Sequence, residues 1–268
     1  MPRISQLNKL SIQEKLELYG LLIPPKIYEK FEINRKNLVA SCKDSIRICV
    51  LCPNKAMEVS IEVKELGNPD SIFYIELSDS KDYIQLQWDF IKVNDPEAPR
   101  YATNVDEEGR NRWLNWGGRN PPEEVKAMEV GLAPGQTRRG LRLTNQINEC
   151  LDEFCNATSL KSISLEGLFY HTAIQFELHG FRYFRGFKMM KRINELFQPG
   201  GKLYEKLDGS TPFRKPEFAN SVRGRSWAIH DGVLEEIDDP IVDVWEPPVM
   251  YRMVGQKHGI ETFPGADY

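Results

Sequence analysis

The stretch that most constrains the fold of this chain runs from Glu129 to Arg142. The segment Ala127–Ala133, which overlaps its beginning, is short and mostly apolar, which is the pattern of a buried strand, and Pro134–Gly135 ends that pattern. After the polar residues that follow, apolar side chains recur at helical steps of four, four and three, at Leu143, Ile147, Leu151 and Phe154. The sequence therefore predicts a strand, a tight loop and a helix in this order.

The loop between the predicted strand and helix is polar, carries Arg138 and Arg139, and is closed by Gly140. The first backbone N–H groups of a helix lack partners within the helix, and the helix dipole favours negative charge at this end. Two guanidinium groups beside such amides make a suitable site for an anion. The same residues also fit a simple turn closed by a glycine, so the loop needs support from elsewhere in the chain.

A second stretch, Leu168–Phe181, reads as a helix that Gly180 ends and a strand that begins at Phe181. Before it, Ser162–Glu166 has the pattern of a short strand. The two stretches together resemble the Gcn5-related N-acetyltransferase (GNAT) family. Its cofactor motif runs from a strand through a proline into a Q/R-x-x-G-x-G/A loop, and its later motif is a helix closed by a Gly-Phe pair. The resemblance covers Glu123–Arg185, about a quarter of the chain.

Individual positions agree with the family pattern to different degrees. Arg139 and Gly140 agree, whereas Thr137 lies where the family usually has Gln or Arg, and Arg142 lies where it usually has Gly or Ala. Phe176 stands four residues before Gly180, where many members have a tyrosine that acts as a general acid. The fold that the resemblance implies is α+β, with a mixed, mostly antiparallel sheet flanked by helices, as in acyl-CoA N-acyltransferases.

The function that the resemblance implies is acyl-CoA-dependent N-acyl transfer. Acetyl-CoA or another acyl-CoA would donate the acyl group, and the amine of a small molecule or a protein would accept it. The implied cofactor-binding residues are Leu132 and Ala133 along the pantetheine arm, and Thr137, Arg138, Arg139, Gly140, Leu141 and Arg142 around the pyrophosphate. A homodimer is left open.

Acyl transfer needs a base for the amine and an acid for the departing thiolate. Glu129 enters the loop where some family members place a catalytic carboxylate, and burial among apolar neighbours would raise its pKa. The alternative is a glutamate at a strand edge that faces solvent. Phe176 has no proton to give, so Tyr170 and Tyr183 are the candidate acids, although both also suit packing.

The departures at Thr137, Arg142 and Phe176 leave a second function open. It is a catalytically inactive protein of the GNAT fold that acts as a binding or regulatory module. A third reading, a binder of nucleotide phosphates, is disfavoured because the loop lacks the Gly-Lys-Ser/Thr sequence of a P-loop.

Composition narrows the classes of partner and compartment. The formal net charge of −4 argues against a dedicated nucleic-acid binder, and no apolar run is long enough to cross a membrane. The first residues show no apolar signal core, and the five cysteines suit a reducing compartment, so a cytoplasmic protein is expected. Cys49 and Cys52 lie within a strand pattern, and Cys150 and Cys155 lack ligand spacing, so no metal site is expected.

The domain organisation is expected to have three parts. Residues 1–44 form an N-terminal helical extension, 45–187 an acyltransferase-like domain, and 188–268 a C-terminal helix, hairpin and tail. In the first part, Ser11 and Glu14 form a capping box that starts a helix. In the second, closely spaced strand patterns predict an antiparallel meander, at Ile46–Cys52, Met57–Val63, Ile72–Leu77, Tyr83–Val93 and Arg100–Val105. Ser226–Ile229 and Val233–Ile237, joined by Asp-Gly, predict the hairpin.

The long loop Asp106–Pro122 is rich in glycine and carries Trp113 and Trp116. Loops of this length in a compact domain are often functional, and these tryptophans would either line a pocket or attach the loop to the core.

Overall fold

The computed structural model describes residues 3–40, 45–80, 85–110 and 118–265. Its α-helices are α1 (Ile4–Leu7), α2 (Ile12–Gly20), α3 (Pro25–Lys30), α4 (Pro121–Glu129), α5 (Thr144–Ala157), α6 (Tyr170–Leu178), α7 (Phe187–Leu196), α8 (Lys202–Glu205) and α9 (Val222–His230). Short 3-10 helices lie at Pro216–Asn220 and Val233–Glu236. The strands are β1 (Ile33–Asn34), β2 (Val39–Ala40), β3 (Ile46–Leu51), β4 (Glu58–Glu65), β5 (Ser71–Asp79), β6 (Leu86–Val93), β7 (Ser162–Glu166), β8 (Arg182–Arg185) and β9 (Val249–Met253).

Among the described residues the main sheet has seven strands in the order β3-β4-β5-β6-β7-β9-β8. The strands from β3 to β6 follow one another as an antiparallel meander, which confirms the predicted meander over this part of the chain. β6 pairs with β7 in parallel, so the connection between them, which includes α5, has to cross over. The chain is thus α+β with a mostly antiparallel sheet and helices, as the sequence predicts. The finer likeness to an acyltransferase stays a proposal.

The chain divides into two compact units, which are described separately here, and the predicted domain boundaries after residues 44 and 187 stay a prediction. The first unit comprises Met1–Ala98, Gly140–Leu165 and Tyr251–Lys257. Its core contains the inward side chains of β4 and β5, which alternate along both strands and are almost fully buried: Val59, Ile61 and Val63, and Phe73, Ile75 and Leu77. Tyr19 of α2 stacks on Phe154 of α5 at 6.0 Å between ring centroids.

The predicted capping box of α2 is confirmed, since the Ser11 side chain accepts a hydrogen bond from the Glu14 backbone and the Glu14 carboxylate accepts one from the Ser11 backbone. Asn8, between α1 and α2, donates through Nδ2 to the carbonyls of Ala56 and Glu58, both at 2.9 Å, and accepts from the Tyr19 hydroxyl at 2.6 Å. These bonds attach the N-terminal helices to the start of β4.

The second unit comprises Pro99–Arg139, Glu166–Met250 and His258–Tyr268. A network of charged side chains joins α4 to the end of α9. Arg119 donates to the buried Glu124 carboxylate at 2.6 and 2.8 Å and to Asp231 at 2.8 Å, and His230 Nε2 lies 3.2 Å from the other Glu124 oxygen. Burial alone would raise the pKa of Glu124, but the hydrogen bonds from His230 and Arg119 lower it to about 2.

The predicted strand over Ala127–Ala133 is wrong. These residues form the end of helix α4 and a turn in which Gly131 has a φ of +81°. Short apolar runs do not distinguish a strand from a buried helix segment by periodicity alone. The helical signal lay just upstream, where Pro121 and Pro122 occupy the first turn and Glu123 and Glu124 complement the dipole.

The predicted hairpin over residues 226–237 is also wrong. Ser221 caps α9 by accepting from the Gly224 amide at 3.1 Å, and the helix runs to His230. Gly232 has a φ of +83°, so the Asp-Gly pair closes a helix here rather than a hairpin. Burial of both Trp227 and Ala228, adjacent in sequence, requires that α9 is surrounded by protein, which removes the one-sided pattern that identifies a surface helix.

The predicted strand over Arg100–Val105 is a loop, in which the Tyr101 amide donates to the Thr137 carbonyl at 2.8 Å. Trp113 and Trp116 of the predicted functional loop, together with Tyr83, lie outside the described residues. In the ranges that the structure describes, no helix is both long and apolar enough to cross a membrane.

Candidate functional site

The first part of the predicted cofactor loop belongs to the second unit and makes its own internal hydrogen bonds. The Leu132 carbonyl accepts from the Trp227 indole at 2.9 Å, and the Ala133 amide donates to the Gln136 side chain at 2.8 Å. The Thr137 carbonyl accepts from the Tyr101 amide. Leu132 and Ala133 therefore lie in a turn after a helix, not on the strand edge where the sequence placed them.

The two arginines of the loop have different surroundings. Arg138 is buried, with 8% of its surface exposed. Arg139 is exposed, and its guanidinium lies 3.4 Å from the Val130 carbonyl. Only the second of these arginines therefore presents its charge to solvent.

The second part of the loop, Gly140–Leu143, belongs to the first unit and lies at the carboxyl end of β6. A Cβ atom on Gly140 would lie only 2.9 Å from the Val93 carbonyl oxygen, which is closer than side chains and backbone normally approach. Glycine is required here because the loop rests directly on the end of the strand. The neighbouring Leu141 is buried and Arg142 is exposed.

Arg142 has a φ of +58°, in the left-handed region that an L side chain disfavours. This is the position where the resemblance expected Gly or Ala. The backbone thus takes the conformation that a glycine would adopt without strain, although the side chain is arginine.

Helix α5 follows the loop, was predicted from about Leu141 and begins at Thr144. The N-cap residue is Leu143, whose side chain has no hydrogen-bond acceptor and makes no capping bond. The positive dipole end of a helix favours an anion.

β6 contains a bulge in the middle of the sheet. Phe90 lies opposite Glu76 of β5 and Trp88 lies opposite Leu77, so Asp89 is the extra residue between them. The parallel register with β7 covers only Leu86–Trp88, paired with Ile163–Leu165, whereas β6 continues to Val93. The bulge and the end of the parallel pairing coincide, and the second half of β6 extends past β7 toward Gly140.

The side chains around this second half of β6 are aromatic and charged. Lys92 Nζ lies 5.3 Å from the centre of the Phe90 ring, and Tyr74 meets the same ring edge-on at 6.1 Å. The Tyr74 hydroxyl donates to Glu76 at 2.9 Å. Burial lowers the pKa of Lys92, and burial together with the bond to Glu76 raises the pKa of Tyr74 to about 12.

The predicted base Glu129 is the last residue of α4, and its side chain is exposed. The strand and the apolar surroundings on which its selection rested are absent. Glu129 belongs to the second unit, whereas β6 belongs to the first.

Tyr170 is buried and Tyr183 is half-buried, and both candidate acids are hydrogen-bonded within the second unit. Tyr170 is 1% exposed, its hydroxyl lies 3.4 Å from Arg225, and burial raises its pKa to about 12. Tyr183 donates to the Glu177 carboxylate, and burial, with the nearby carboxylate, raises its pKa. Glu177 also accepts from the Thr262 amide at 2.9 Å and hydroxyl at 2.6 Å. This arrangement attaches the C-terminal segment to α6.

The bulge at Asp89 was not predicted from the sequence. A weak signal is present, because apolar residues alternate at Leu86, Trp88 and Phe90 and the alternation then changes phase at Ile91 and Val93. A strand without a bulge keeps a constant step of two, so the change of phase indicates an extra residue.

Comparisons of the chain with models of protein families, with curated proteins and with solved structures give no match.

Proposed function

We propose that the chain is an acyl-CoA-dependent N-acyltransferase that transfers an acetyl or other acyl group to an amine. The cofactor site lies in the first unit, between the end of β6 and the start of α5. The pyrophosphate of the acyl-CoA binds to the first amides of α5 and to the loop Gly140–Leu143. The extended pantetheine arm lies along the second half of β6.

The observation that carries this proposal is the coincidence of three features at one end of β6. The parallel register with β7 ends at Trp88, the bulge lies at Asp89, and Gly140 rests on Val93. Ligands of sheets with parallel strands bind outside the carboxyl ends of those strands, and bulges recur next to active sites. The amide groups of a pantetheine arm can form hydrogen bonds with the backbone at a strand edge, as an added peptide strand does.

Asp89 takes the role of base that the sequence assigned to Glu129. The acceptor reaches the site as an ammonium ion and loses a proton to Asp89, directly or through water. The amine nitrogen then attacks the thioester carbonyl carbon, the C–N bond forms, and the C–S bond breaks. The nitrogen loses its remaining excess proton, which passes through water to the departing CoA thiolate.

Calorimetric titration of CoA and acetyl-CoA tests the binding step. The Gly140→Ala variant should bind either ligand more weakly than the wild type, because the added methyl group displaces the loop from Val93. Gly20→Ala is the matched control, since Gly20 lies at the end of α2, where the nearest atom to an added Cβ is a side-chain hydroxyl at 3.2 Å. Equal affinity in the wild type and Gly140→Ala would remove this loop from the cofactor site.

The release of free thiol from acetyl-CoA in the presence of a panel of amines tests the catalytic step. Asp89→Asn should lower kcat by about 10²–10⁴-fold while CoA affinity is retained, which is the usual contribution of a general base. Glu129→Gln removes an exposed carboxylate of the second unit and is the matched control. If Glu129→Gln loses activity and Asp89→Asn does not, the sequence-based assignment of the base is the better one.

A second candidate function is favoured by the missing acid. Phe176 has no proton to donate, Tyr170 is buried against Arg225, and the half-buried Tyr183 donates to Glu177. A GNAT-fold module without activity would bind acyl-CoA in the titration above and release no thiol with any amine. A ligand that binds the native state raises its thermal stability, so a thermal shift with acyl-CoA and no turnover would support this module.

A further inference from the structure

A cationic patch surrounds an exposed phenylalanine in the second unit. Phe184 lies on β8, the last strand in the sheet order, and 82% of its surface is exposed. Between Leu178 and Asn194 the sequence contains five Lys or Arg residues and no Asp or Glu. We call the exposed residues of this segment the β8–α7 patch: Arg182, Phe184, Arg185, Lys188 and Lys191.

Most of the charge in the β8–α7 patch is not neutralised within the chain. Arg192, which follows the patch, pairs with Asp239 at 2.8 Å and with Glu195 at 3.0 Å. Arg182, Arg185 and Lys188 have no carboxylate partner within 4 Å among the residues that the structure describes. The net charge of −4, on which the expectation of no nucleic-acid partner was based, averages over this local positive surface.

The positions of these side chains favour a polymer over a flat surface. Successive side chains of a strand point to opposite faces, so Arg182 and Phe184 share one face of β8 and Arg185 lies on the other. Arg182 and Phe184 are about 7 Å apart along the strand. A bilayer contacts one plane, whereas a chain of phosphates can follow cations on both sides of a strand.

Protection of the sheet edge explains only part of the patch. Short edge strands with charged side chains prevent pairing with other chains, and Arg182 and Arg185 fit that role. An exposed phenylalanine between them works against it, because an apolar side chain on an edge strand promotes association. A ligand with anionic groups and flat aromatic faces accounts for both the charge and the ring.

We propose that the β8–α7 patch binds single-stranded nucleic acid. Phe184 stacks on a base, Arg182 lies beside the same base, and Arg185, Lys188 and Lys191 contact phosphates. Aromatic stacking with a cationic track is the general way in which single strands are bound without sequence preference. The proposal does not depend on acyl transfer.

Fluorescence anisotropy with a labelled single-stranded RNA of about 12 nucleotides and mixed sequence tests the proposal, since single-strand sites span about 4–16 nucleotides. Phe184→Ala should weaken binding by about tenfold. The double variant Arg185→Glu/Lys188→Glu should weaken it further and reduce the slope of log K against log salt by about 1–2. The double variant Lys26→Glu/Lys55→Glu reverses two exposed charges of the first unit and should bind as the wild type does.

Circular dichroism and thermal melting establish that each variant is folded, which is expected because the altered side chains are exposed. Equal binding by the wild type and Phe184→Ala would overturn the proposal, even if charge reversal weakens binding, because stacking would then play no part. Equal loss in the Lys26→Glu/Lys55→Glu control would overturn it as well, since the effect would reflect overall charge. Binding to vesicles with anionic lipid in the absence of RNA binding would assign the patch to a membrane surface instead.

Discussion

Replacing Arg142 by glycine tests both the strain of the loop and its contact with the cofactor. Arg142 has a φ of +58°, and the left-handed conformation costs an L residue about 1–2 kcal/mol. Glycine adopts it without strain but loses about 0.5–1 kcal/mol more conformational entropy on folding. The net expectation is a gain in stability of about 0.5–1 kcal/mol.

Lys55→Gly is the matched control. Lys55 also belongs to the first unit, is exposed and has a φ of +66°, so its replacement relieves the same strain and removes the same charge. Both variants should raise Tm by about 1–4 °C, since 1 kcal/mol corresponds to about 2–4 °C in a chain of this size. Differential scanning calorimetry measures this, with the transition of each unit fitted separately.

Only Arg142→Gly should affect the cofactor. An exposed ion pair contributes about 0.2–1 kcal/mol, so the loss of Arg142 should weaken CoA binding by a factor of about 1.4 to 5 at low salt. Lys55→Gly should leave CoA affinity unchanged. If Lys55→Gly is more stable than the wild type and Arg142→Gly is less stable, the strain argument is refuted. Equal CoA affinity in both variants would show that Arg142 does not contact the phosphate groups at the proposed site.

Two further predictions concern buried groups of the second unit. Burial lowers the pKa of His171 to about 3, so below about pH 6.5 the unfolded chain binds a proton that the native state does not. The free energy of unfolding of the wild type should then fall by about 1.4 kcal/mol per pH unit between about pH 6 and 4. Urea unfolding should show a shallower fall for His171→Asn. The control His258→Asn, at an exposed histidine, should fall as the wild type does. Glu177→Gln should lower the free energy of unfolding by about 1–3 kcal/mol in the same assay, because three donors then face one acceptor oxygen and an NH₂ group. Tyr183→Phe should lower it less, because it removes one donor and leaves the Glu177 carboxylate with the other two. A steeper acid loss in His171→Asn, or a larger cost for Tyr183→Phe than for Glu177→Gln, would contradict the respective argument.

The sequence alone determined the local elements whose signals do not depend on distant residues. The capping box at Ser11 starts α2, and Gly180 ends the helix before β8. The strands from β3 to β5 and β7 were found because β-branched and aromatic residues recur between turn residues. The sequence also indicates Gly140 as the residue that closes the loop, where the structure has its close approach to Val93.

The tertiary structure decided which strand leads to the proposed cofactor loop. The sequence assigned this role to Ala127–Ala133, which is apolar and adjacent to the loop, but that segment is the end of a helix. The strand that Gly140 contacts is β6, which ends some forty residues earlier in the chain. Sequence patterns report which residues avoid water, and they do not report which distant segment covers them.

The same limit applies to the candidate site residues. The bulge at Asp89 exists only as a register between β5 and β6, and the left-handed conformation of Arg142 follows from how the loop meets the strand end. Tyr170 and Tyr183 were visible as tyrosines, but their hydroxyls are directed to Arg225 and Glu177 by packing between helices and the C-terminal segment. Pairing register and burial are set by long-range contacts, so no local pattern contains them.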